Sequence, residues 1–260
     1  MTAPLHQLDQ LGAGSVRTAP TFTSELPRVS LVIPTLNEEL NVKLLLPRLP
    51  RWLHEVIIVD GRSQDRTVEV CRQLLPEAKI VLEPRKGKGA ALRAGFHAAT
   101  GDITVMMDAD GSMDPNEIIL LVGALLTGAD FAKGSRFLQG GGTEDMSLFR
   151  MLGNWGLRKA VQLFFGGKFS DLCYGYVAFW TKHTALLSPK TDGFEVETFL
   201  NVQALKADLR IIEVPSFEAN RVHGESNLRA IPDGWRVLKT ILRERFETAP
   251  ALTLTRQTSA

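Results

Sequence analysis

The chain has 260 residues, with 30 lysines and arginines against 29 aspartates and glutamates, so its formal net charge is only +1. This balance argues against a nucleic-acid-binding protein, which more often carries a strongly basic face, and we expect no nucleic-acid partner. The length suffices for one large α/β domain with a substantial buried core.

Residues 1–27 are polar, contain glycine and proline, and lack the apolar block of a signal peptide, which predicts a flexible N-terminal arm. Residues 247–260 have a similar composition and predict a flexible tail. The longest apolar run, Ile118 to Leu126, is too short to cross a bilayer. Cys71 and Cys173 lie in unrelated apolar contexts, which indicates reduced, buried thiols. We therefore expect a cytoplasmic protein with a single domain over residues 28–246.

Four strand-like runs alternate with helical patterns in the first half of this domain, residues 28–133. The predicted strands are Val29–Ile33, Val56–Val59, Lys79–Leu82 and Ile103–Met107. The predicted helices are Glu38–Leu46, Gln64–Leu75 with Ser63 as N-cap, Gly89–Ala99, and Glu117–Leu126 opened by a capping box from Asp114 to Glu117. Strand–helix units of roughly 25–30 residues indicate a parallel sheet with helices on both faces, and ligands at the carboxyl ends of the strands.

The second half, residues 134–246, is less regular. Glycines 140–142 predict a mobile loop. The predicted elements are the strands Tyr176–Trp180 and Leu209–Val214 and the helices Met146–Phe165, Glu197–Leu205 and Pro232–Phe246. The first and last of these helices combine apolar faces with basic residues. Such faces usually pack against a core, and the alternative is peripheral contact with a membrane surface.

Polar residues stand where the first two predicted strands end. Pro34, Asn37 and Glu38 follow the first strand, where free amides at a helix start can receive negative charge and polar side chains can meet a base or ribose. Asp60 follows the second strand, where an acid suits ribose hydroxyls or a base edge. Ordinary helix capping and turn chemistry are the alternatives at both places.

Lys86 and Lys88 alternate with glycines just before the helix Gly89–Ala99. Cations together with free N–H groups suit a diphosphate, and glycine lets a ligand approach the backbone. The spacing is not that of a Walker loop. A solvated basic turn is the alternative.

Asp108 and Asp110 follow the fourth predicted strand and, two residues apart, point to the same side of an extended segment. Two hard oxygen donors at that spacing suit Mg²⁺ or Mn²⁺ shared with substrate phosphates. A cation there would neutralise charge on a departing nucleotide diphosphate.

Taken in chain order, these motifs resemble the GT-A glycosyltransferases of family 2, and most of all the dolichyl- and polyprenyl-phosphate sugar transferases. The resemblance runs from about Val29 to Arg245. It continues through Gly134–Phe137, Gly140–Gly142, Arg150, Gly153–Asn154, Ser170–Gly175 and His223–Leu228. It implies a single Rossmann-like GT-A domain with a mostly parallel sheet, whose first half binds the nucleotide and whose second half binds the acceptor.

The resemblance also implies a Mg²⁺ or Mn²⁺ cofactor and a donor sugar linked to UDP or GDP. Asp60 would hold the nucleotide, Asp108 and Asp110 the metal diphosphate, and Arg136 and Arg150 the phosphates of donor or acceptor. Guanidinium forks suit phosphate oxygens.

For the reacting sugar, the resemblance points to Asp171 and Glu197, with Asp171 and Asp110 as the catalytic acids. His223 and Ser226 would belong to a loop that closes over the diphosphate. Asn227 stands where relatives tend to carry lysine, which weakens a direct charge contact there.

The predicted function is metal-dependent, inverting transfer of the sugar to a polyprenyl phosphate of the dolichyl or undecaprenyl type. The acceptor oxygen is already anionic, so no strong base is needed, and positioning with metal-assisted departure would suffice. One alternative is a soluble hydroxyl acceptor, such as a secondary-metabolite scaffold, for which Asp171 or Glu197 would be the base. Another is a nucleotide-sugar-binding regulator without turnover, against which the intact aspartate pair argues. The sequence leaves the sugar, the nucleotide and the oligomeric state open.

Overall fold

The computed structural model of the chain describes residues 26–224 and 230–247. The strands are β1 (Val29–Thr35), β2 (Glu55–Asp60), β3 (Lys79–Leu82), β4 (Ile103–Met106), β5 (Phe131–Ser135), β6 (Gly142–Thr143), β7 (Val177–Trp180), β8 (Ile211–Pro215) and β9 (Phe217–Glu218). Seven of them form a central sheet in the order β3-β2-β1-β4-β7-β5-β8. Neighbours pair in parallel except β7, which is antiparallel to both β4 and β5. β6 and β9 form a separate parallel pair.

Helices cover both faces of this sheet. They are α1 (Glu39–Leu45), α2 (Thr67–Leu74), α3 (Lys88–Ala98), α4 (Ile118–Leu126), α5 (Leu148–Phe165), α6 (Thr184–Leu187), α7 (Val196–Lys206) and α8 (Ala230–Phe246). The core on one face includes side chains of α1, α2 and α4, and the core on the other includes α3 and α7. A third apolar cluster joins α5, α7 and α8.

β1 shows why the sheet needs two helical layers. Leu31 and Ile33 belong to the core on one face and Val32 to the core on the other, and all three are fully buried. Because successive side chains of a strand point to opposite faces, a run of consecutive apolar residues is stable only between two layers. The prediction of a mostly parallel α/β sheet is confirmed.

Two local predictions were wrong. Helix α2 begins at Thr67, and its start is organised by Asp65, whose carboxylate accepts the Thr67 amide, while Ser63 Oγ accepts from the Asn37 amide. In the predicted capping box, Asp114 does accept the Asn116 amide, but a 3₁₀ turn at 115–117 intervenes before α4. Glu117 does not reach back to the cap, because its carboxylate accepts from Ser216 Oγ and the Phe217 amide.

The glycine-rich segment at 140–142 does not remain an open loop in this structure. Gly142 begins β6, and its amide donates to the Ser216 carbonyl. Both cysteines are free thiols, with Cys71 buried and Cys173 half-buried. Within the described part of the chain, no helix is long and apolar enough to span a membrane. The predicted N-terminal arm falls almost wholly outside the described residues, as does the tail beyond Glu247.

Candidate active site

A cavity of about 550 Å³ opens at the carboxyl edge of β1 and β4. Its volume is within the usual range for small-molecule sites, and its place is where ligands bind in open α/β sheets. The residues of the sequence prediction that line it are Pro34, Glu38, Lys88, Asp108, Asp110, Arg136, Arg150 and Glu197. The fold therefore brings into one cavity side chains from both halves of the domain.

The aspartate pair lies just beyond the end of β4, and each carboxylate is paired with a cation. Asp108 Oδ1 is 2.6 Å from Lys88 Nζ. Asp110 Oδ2 is 3.2 Å from Arg221 Nη2, and its Oδ1 accepts from the amide and hydroxyl of Ser112. Both carboxylates retain partial exposure toward the cavity, so a ligand can reach them.

This donor set fits Mg²⁺ or Mn²⁺ held jointly with a substrate. Among residues 26–224 and 230–247, no group of three or more histidine, cysteine or acidic side chains could enclose a metal ion by itself. Two carboxylates leave most coordination positions to phosphate oxygens and water, which is how Mg²⁺ is usually bound beside phosphates. Asp108 and Asp110 already accommodate positive charge at this place.

Lys88 connects the aspartate pair to α7. Its Nζ lies 2.7 Å from Glu197 Oε1 while also bonding Asp108. Burial alone would lower the pKa of Lys88, but the charges of Asp108 and Glu197 outweigh it and raise that pKa. Burial raises the pKa of Glu197, and the Lys88 charge opposes that shift. Lys88 is thus a buried ammonium shared by two carboxylates of the cavity wall.

The glycines of the Lys86–Gly89 turn have a packing role that was not predicted. A Cβ at Gly87, whose φ is +108°, would collide with the carbonyl oxygen of Asp192, and one at Gly89 with that of Thr191. The Gly89 amide also donates to the Asp192 carbonyl. The small residues therefore admit the protein's own backbone at 191–192, and the expected close approach of a ligand is not needed to explain them.

Arg136 and Asp171 form a buried ion pair behind the cavity wall. Arg136 Nε and Nη2 donate to the two oxygens of Asp171, at 2.7 and 2.9 Å, and Nη1 donates to Glu218. Burial would raise the pKa of the Asp171 carboxyl, but the hydrogen bonds and charge of Arg136 lower it below its ordinary value. The guanidinium also lies 4.8 Å from the centre of the Tyr174 ring.

This geometry limits what either residue can offer a substrate. Asp171 is fully buried and is not among the side chains that line the cavity. Arg136 does line it, but a guanidinium has five N–H donors and three of them are given to carboxylates. A phosphate would meet only the remaining N–H groups.

Other predicted site residues lie beside the cavity. Asp60 is buried, and its Oδ2 accepts the amides of Arg62 and Ser63, as in the turn-chemistry alternative. Asn37 joins the loops after β1 and β2, since its Oδ1 accepts the Gln64 amide. Lys86 is exposed.

Arg150 and His223 lie on different segments around the cavity. Arg150 lines the cavity from α5 and pairs with Asp145 at 3.0 Å. His223 is exposed, and its backbone amide and carbonyl are both bonded by the Asn41 side chain. Ser226 lies outside the described residues.

Arg221 is a charged cavity residue that sequence reasoning missed. It follows β9 and bridges Asp110 to Glu38, whose Oε1 is 3.0 Å from Arg221 Nη1. A signal was available, because Arg221 stands two residues before His223, the first residue of the motif expected to close over the diphosphate. Burial raises the pKa of the Glu38 carboxyl, and the Asn41 hydrogen bond and the Arg221 charge oppose that shift.

The profile of glycosyl transferase family 2 matches residues 30–186. A dolichol-phosphate mannosyltransferase of Pyrococcus furiosus is 30% identical over 217 residues, covering 78% of this chain and 59% of that protein. An undecaprenyl-phosphate 4-deoxy-4-formamido-L-arabinose transferase of Aeromonas hydrophila is 32% identical, covering 78% of this chain and 63% of that protein. The chain thus spans about three fifths of the length of these two relatives.

A similar fold occurs in a crystal structure of glucosyl-3-phosphoglycerate synthase from Mycobacterium tuberculosis in complex with Mn²⁺, UDP-glucose and phosphoglyceric acid. The TM-score is 0.66 at 24% identity, covering 84% of this chain and 80% of that one. This likeness identifies the fold as that of the GT-A glycosyltransferases.

Proposed function

The chain belongs to glycosyl transferase family 2, and from that premise we propose that it moves a sugar from UDP or GDP to a polyprenyl phosphate. The observation that carries the proposal is the aspartate pair on the cavity wall, each carboxylate already neutralised by a cationic side chain. A nucleoside diphosphate with a divalent cation suits this site, because the cation can bind the carboxylates and the phosphates can bind the basic side chains. Relatives named for transfer involving dolichol phosphate and undecaprenyl phosphate support the choice of acceptor.

The ion pairs of the acidic side chains in and behind the cavity wall also favour a phosphate acceptor over a hydroxyl acceptor. A hydroxyl acceptor would need a general base with a tuned pKa within reach. Asp171 is buried under Arg136 with a lowered pKa, and Glu197 is bonded to Lys88. A phosphate monoester carries its own negative charge near neutral pH, so it needs positioning and no proton abstraction.

In the proposed reaction, Asp108 and Asp110 hold the metal diphosphate. The cation, when bound, supplies charge neutralisation for the leaving nucleotide diphosphate. We assign Lys88 and Arg221, once released from the carboxylates, to contacts with phosphate oxygens of the donor, and Arg150 to the acceptor phosphate. The acceptor oxygen attacks the anomeric carbon in line as the bond to the diphosphate breaks, which inverts the configuration.

The test is a transfer assay with UDP- and GDP-linked hexoses, each offered undecaprenyl phosphate in detergent or a soluble polyol. We expect labelled sugar in the organic phase only with the lipid phosphate, only with Mn²⁺ or Mg²⁺, and not with the variant Asp110→Asn. Transfer to the polyol alone would refute the acceptor assignment. Transfer that persists with a chelator would refute the metal site.

A further inference from the structure

Helix α8 buries a mixture of polar and apolar residues, the latter being Val237 and Ile241, and leaves most of its large apolar residues exposed. Its acidic residues Asp233 and Glu244 are buried, together with Thr240. Glu244 is held there by Gln203 Nε2 at 2.6 Å and Lys206 Nζ at 2.9 Å. The polar contacts of Glu244 and the apolar packing of Val237 and Ile241 together hold this side of α8 against the core.

The outward side of α8 carries a stripe of large apolar residues three or four positions apart. They are Ile231, Trp235, Leu238, Leu242 and Phe246. Residues at this spacing lie on one face of a helix. Ile231, Trp235 and Phe246 are each more than half exposed. An aqueous surface helix would normally turn these residues toward the core.

Basic residues flank this stripe. Arg236, Lys239, Arg243 and Arg245 are all exposed, whereas both acids between residues 231 and 246 are buried. Arg236 forms an ion pair with Asp233, and Arg243 forms one with Glu244. Lys239 lies over the Trp235 ring. The exposed charges of this helix segment are therefore of one sign.

The first turns of α5, which packs against α8, also expose large apolar residues. Five large residues there are exposed: Leu148, Phe149, Met151, Leu152 and Trp155. No aspartate or glutamate occurs in α5. The two helices pack together through a shared apolar cluster that contains Val161 and Val237. Both also line the cavity, α5 through Phe149 and Gly153 and α8 through Gly234 and Val237.

We propose that this face, the exposed apolar and basic residues of α5 and α8 named above, is a docking surface for an anionic lipid bilayer. The inference rests on the proposed function and deepens it, because an acceptor with a polyprenyl tail would then reach the cavity from the membrane side. Large exposed apolar patches mark interaction sites. Trp, Phe and Leu combined with Lys and Arg, and with no exposed acid within α5 or between residues 231 and 246, match the interface of an anionic membrane.

A second copy of the chain is a poorer occupant for this surface. A two-fold symmetric contact would place the same patch on both subunits, and the arginines and Lys239 would then face like charges. Like-charge juxtaposition opposes association. Anionic headgroups offer the opposite charge next to an apolar layer.

The experiment is vesicle co-sedimentation of the full chain, without donor or acceptor, on phosphatidylcholine vesicles with and without phosphatidylglycerol. We expect binding to the anionic vesicles, reduced at least about tenfold by the triple variant Leu152→Gln, Trp235→Gln, Phe246→Gln, which loses exposed apolar contact. The double variant Lys239→Glu, Arg245→Glu should lose the preference for anionic vesicles. A matched control, Leu82→Gln with Ile119→Gln, changes exposed apolar residues of other elements and should bind as the unaltered chain does.

Two readouts separate this inference from the proposed function. Transfer to a short, detergent-dispersed polyprenyl phosphate should be unchanged in the triple variant, since none of its three sites lines the cavity. Transfer to an acceptor embedded in vesicles should fall with vesicle binding. Absence of the unaltered chain from anionic vesicles would overturn the docking surface, as would equal binding by the triple variant. A dimer in solution that the triple variant dissociates would assign the surface to a second copy instead.

Discussion

Replacing Arg221 by glutamine should make the protein bind Mn²⁺ more tightly in the absence of nucleotide. Arg221 bridges Asp110 and Glu38 at 3.2 and 3.0 Å. Its guanidinium therefore neutralises the same carboxylate that the proposed metal would use. A cation that binds Asp110 must displace or repel this guanidinium, and both effects weaken metal binding. Glutamine keeps much of the side-chain length and removes the charge.

The size of the effect follows from the pair's exposure. Two unit charges about 4 Å apart interact by about 4 kcal/mol at an effective dielectric constant near 20. The Arg221 and Asp110 side chains are 22% and 17% exposed, and Glu38 shares the guanidinium. Solvent screening and this sharing leave roughly 1–2 kcal/mol for the contact with Asp110. Since 1.4 kcal/mol is a factor of ten, the Mn²⁺ dissociation constant should fall about tenfold.

Titration of the nucleotide-free protein, with free Mn²⁺ followed by electron paramagnetic resonance, measures this constant directly. Arg236→Gln is the matched control, because Arg236 also lines the cavity but pairs with Asp233 on its own helix. It removes the same charge and should leave the constant nearly unchanged. Equal or weaker Mn²⁺ binding by Arg221→Gln than by the control would show that Arg221 does not compete with the metal at Asp110.

The remaining predictions concern other contacts of the cavity. Asp110→Asn should abolish metal-dependent transfer with little change in Tm, because the carboxylate is partly exposed, and near-normal rates would exclude it as a ligand. Asp171→Asn should lower the free energy of unfolding by about 3 kcal/mol, measured in urea, because it leaves the buried Arg136 guanidinium without its main partner. The pKa of Asp171 is lower in the folded protein than in the unfolded chain. Its contribution to the free energy of unfolding is therefore fully present above the pKa of the unfolded chain and should be lost as the pH falls toward the lower pKa of the folded protein. Arg150→Ala should raise the KM for the acceptor phosphate, and an unchanged KM would remove that residue from the acceptor site. Cys173 lines the cavity but burial raises the pKa of its thiol to about 12, so iodoacetamide should alkylate it far more slowly in the native protein than in urea.

Much of the first half of the domain, residues 28–133, could be predicted because its signals are local. Each of its first four strands is a short apolar run, and the polar residues that follow lie at the sheet edge wherever parallel strands end. Pro34, Glu38 and Asp108 line the cavity at this edge. β5 was missed because its sequence, Phe131 to Ser135, contains lysine, glycine and serine.

The lysine in β5 is stable there only because of distant residues. Lys133 is fully buried, and its Nζ donates to the Tyr174 carbonyl at 2.6 Å. Burial lowers its pKa, while the negative charges of Asp171 and Glu213 oppose that shift. Glu213 is its register partner on β8. None of these neighbours is close in sequence, so no window around Lys133 could indicate a strand.

For the same reason, charged residues of the site could be predicted from the sequence, but their ion-pair partners could not. Lys88 pairs with Asp108 and Glu197, which lie 20 and 109 positions away in the sequence. Arg221 pairs with Glu38, which lies 183 positions away. Which basic side chain pairs with which carboxylate is therefore determined only when the sheet has folded. The pairing also has a chemical consequence that the residue types alone did not reveal. Lys88 and Arg221 each neutralise one of the two aspartates in this structure. Under the proposed function, a donor would therefore have to bring a cation if both basic side chains are to contact its phosphates without leaving either aspartate unneutralised.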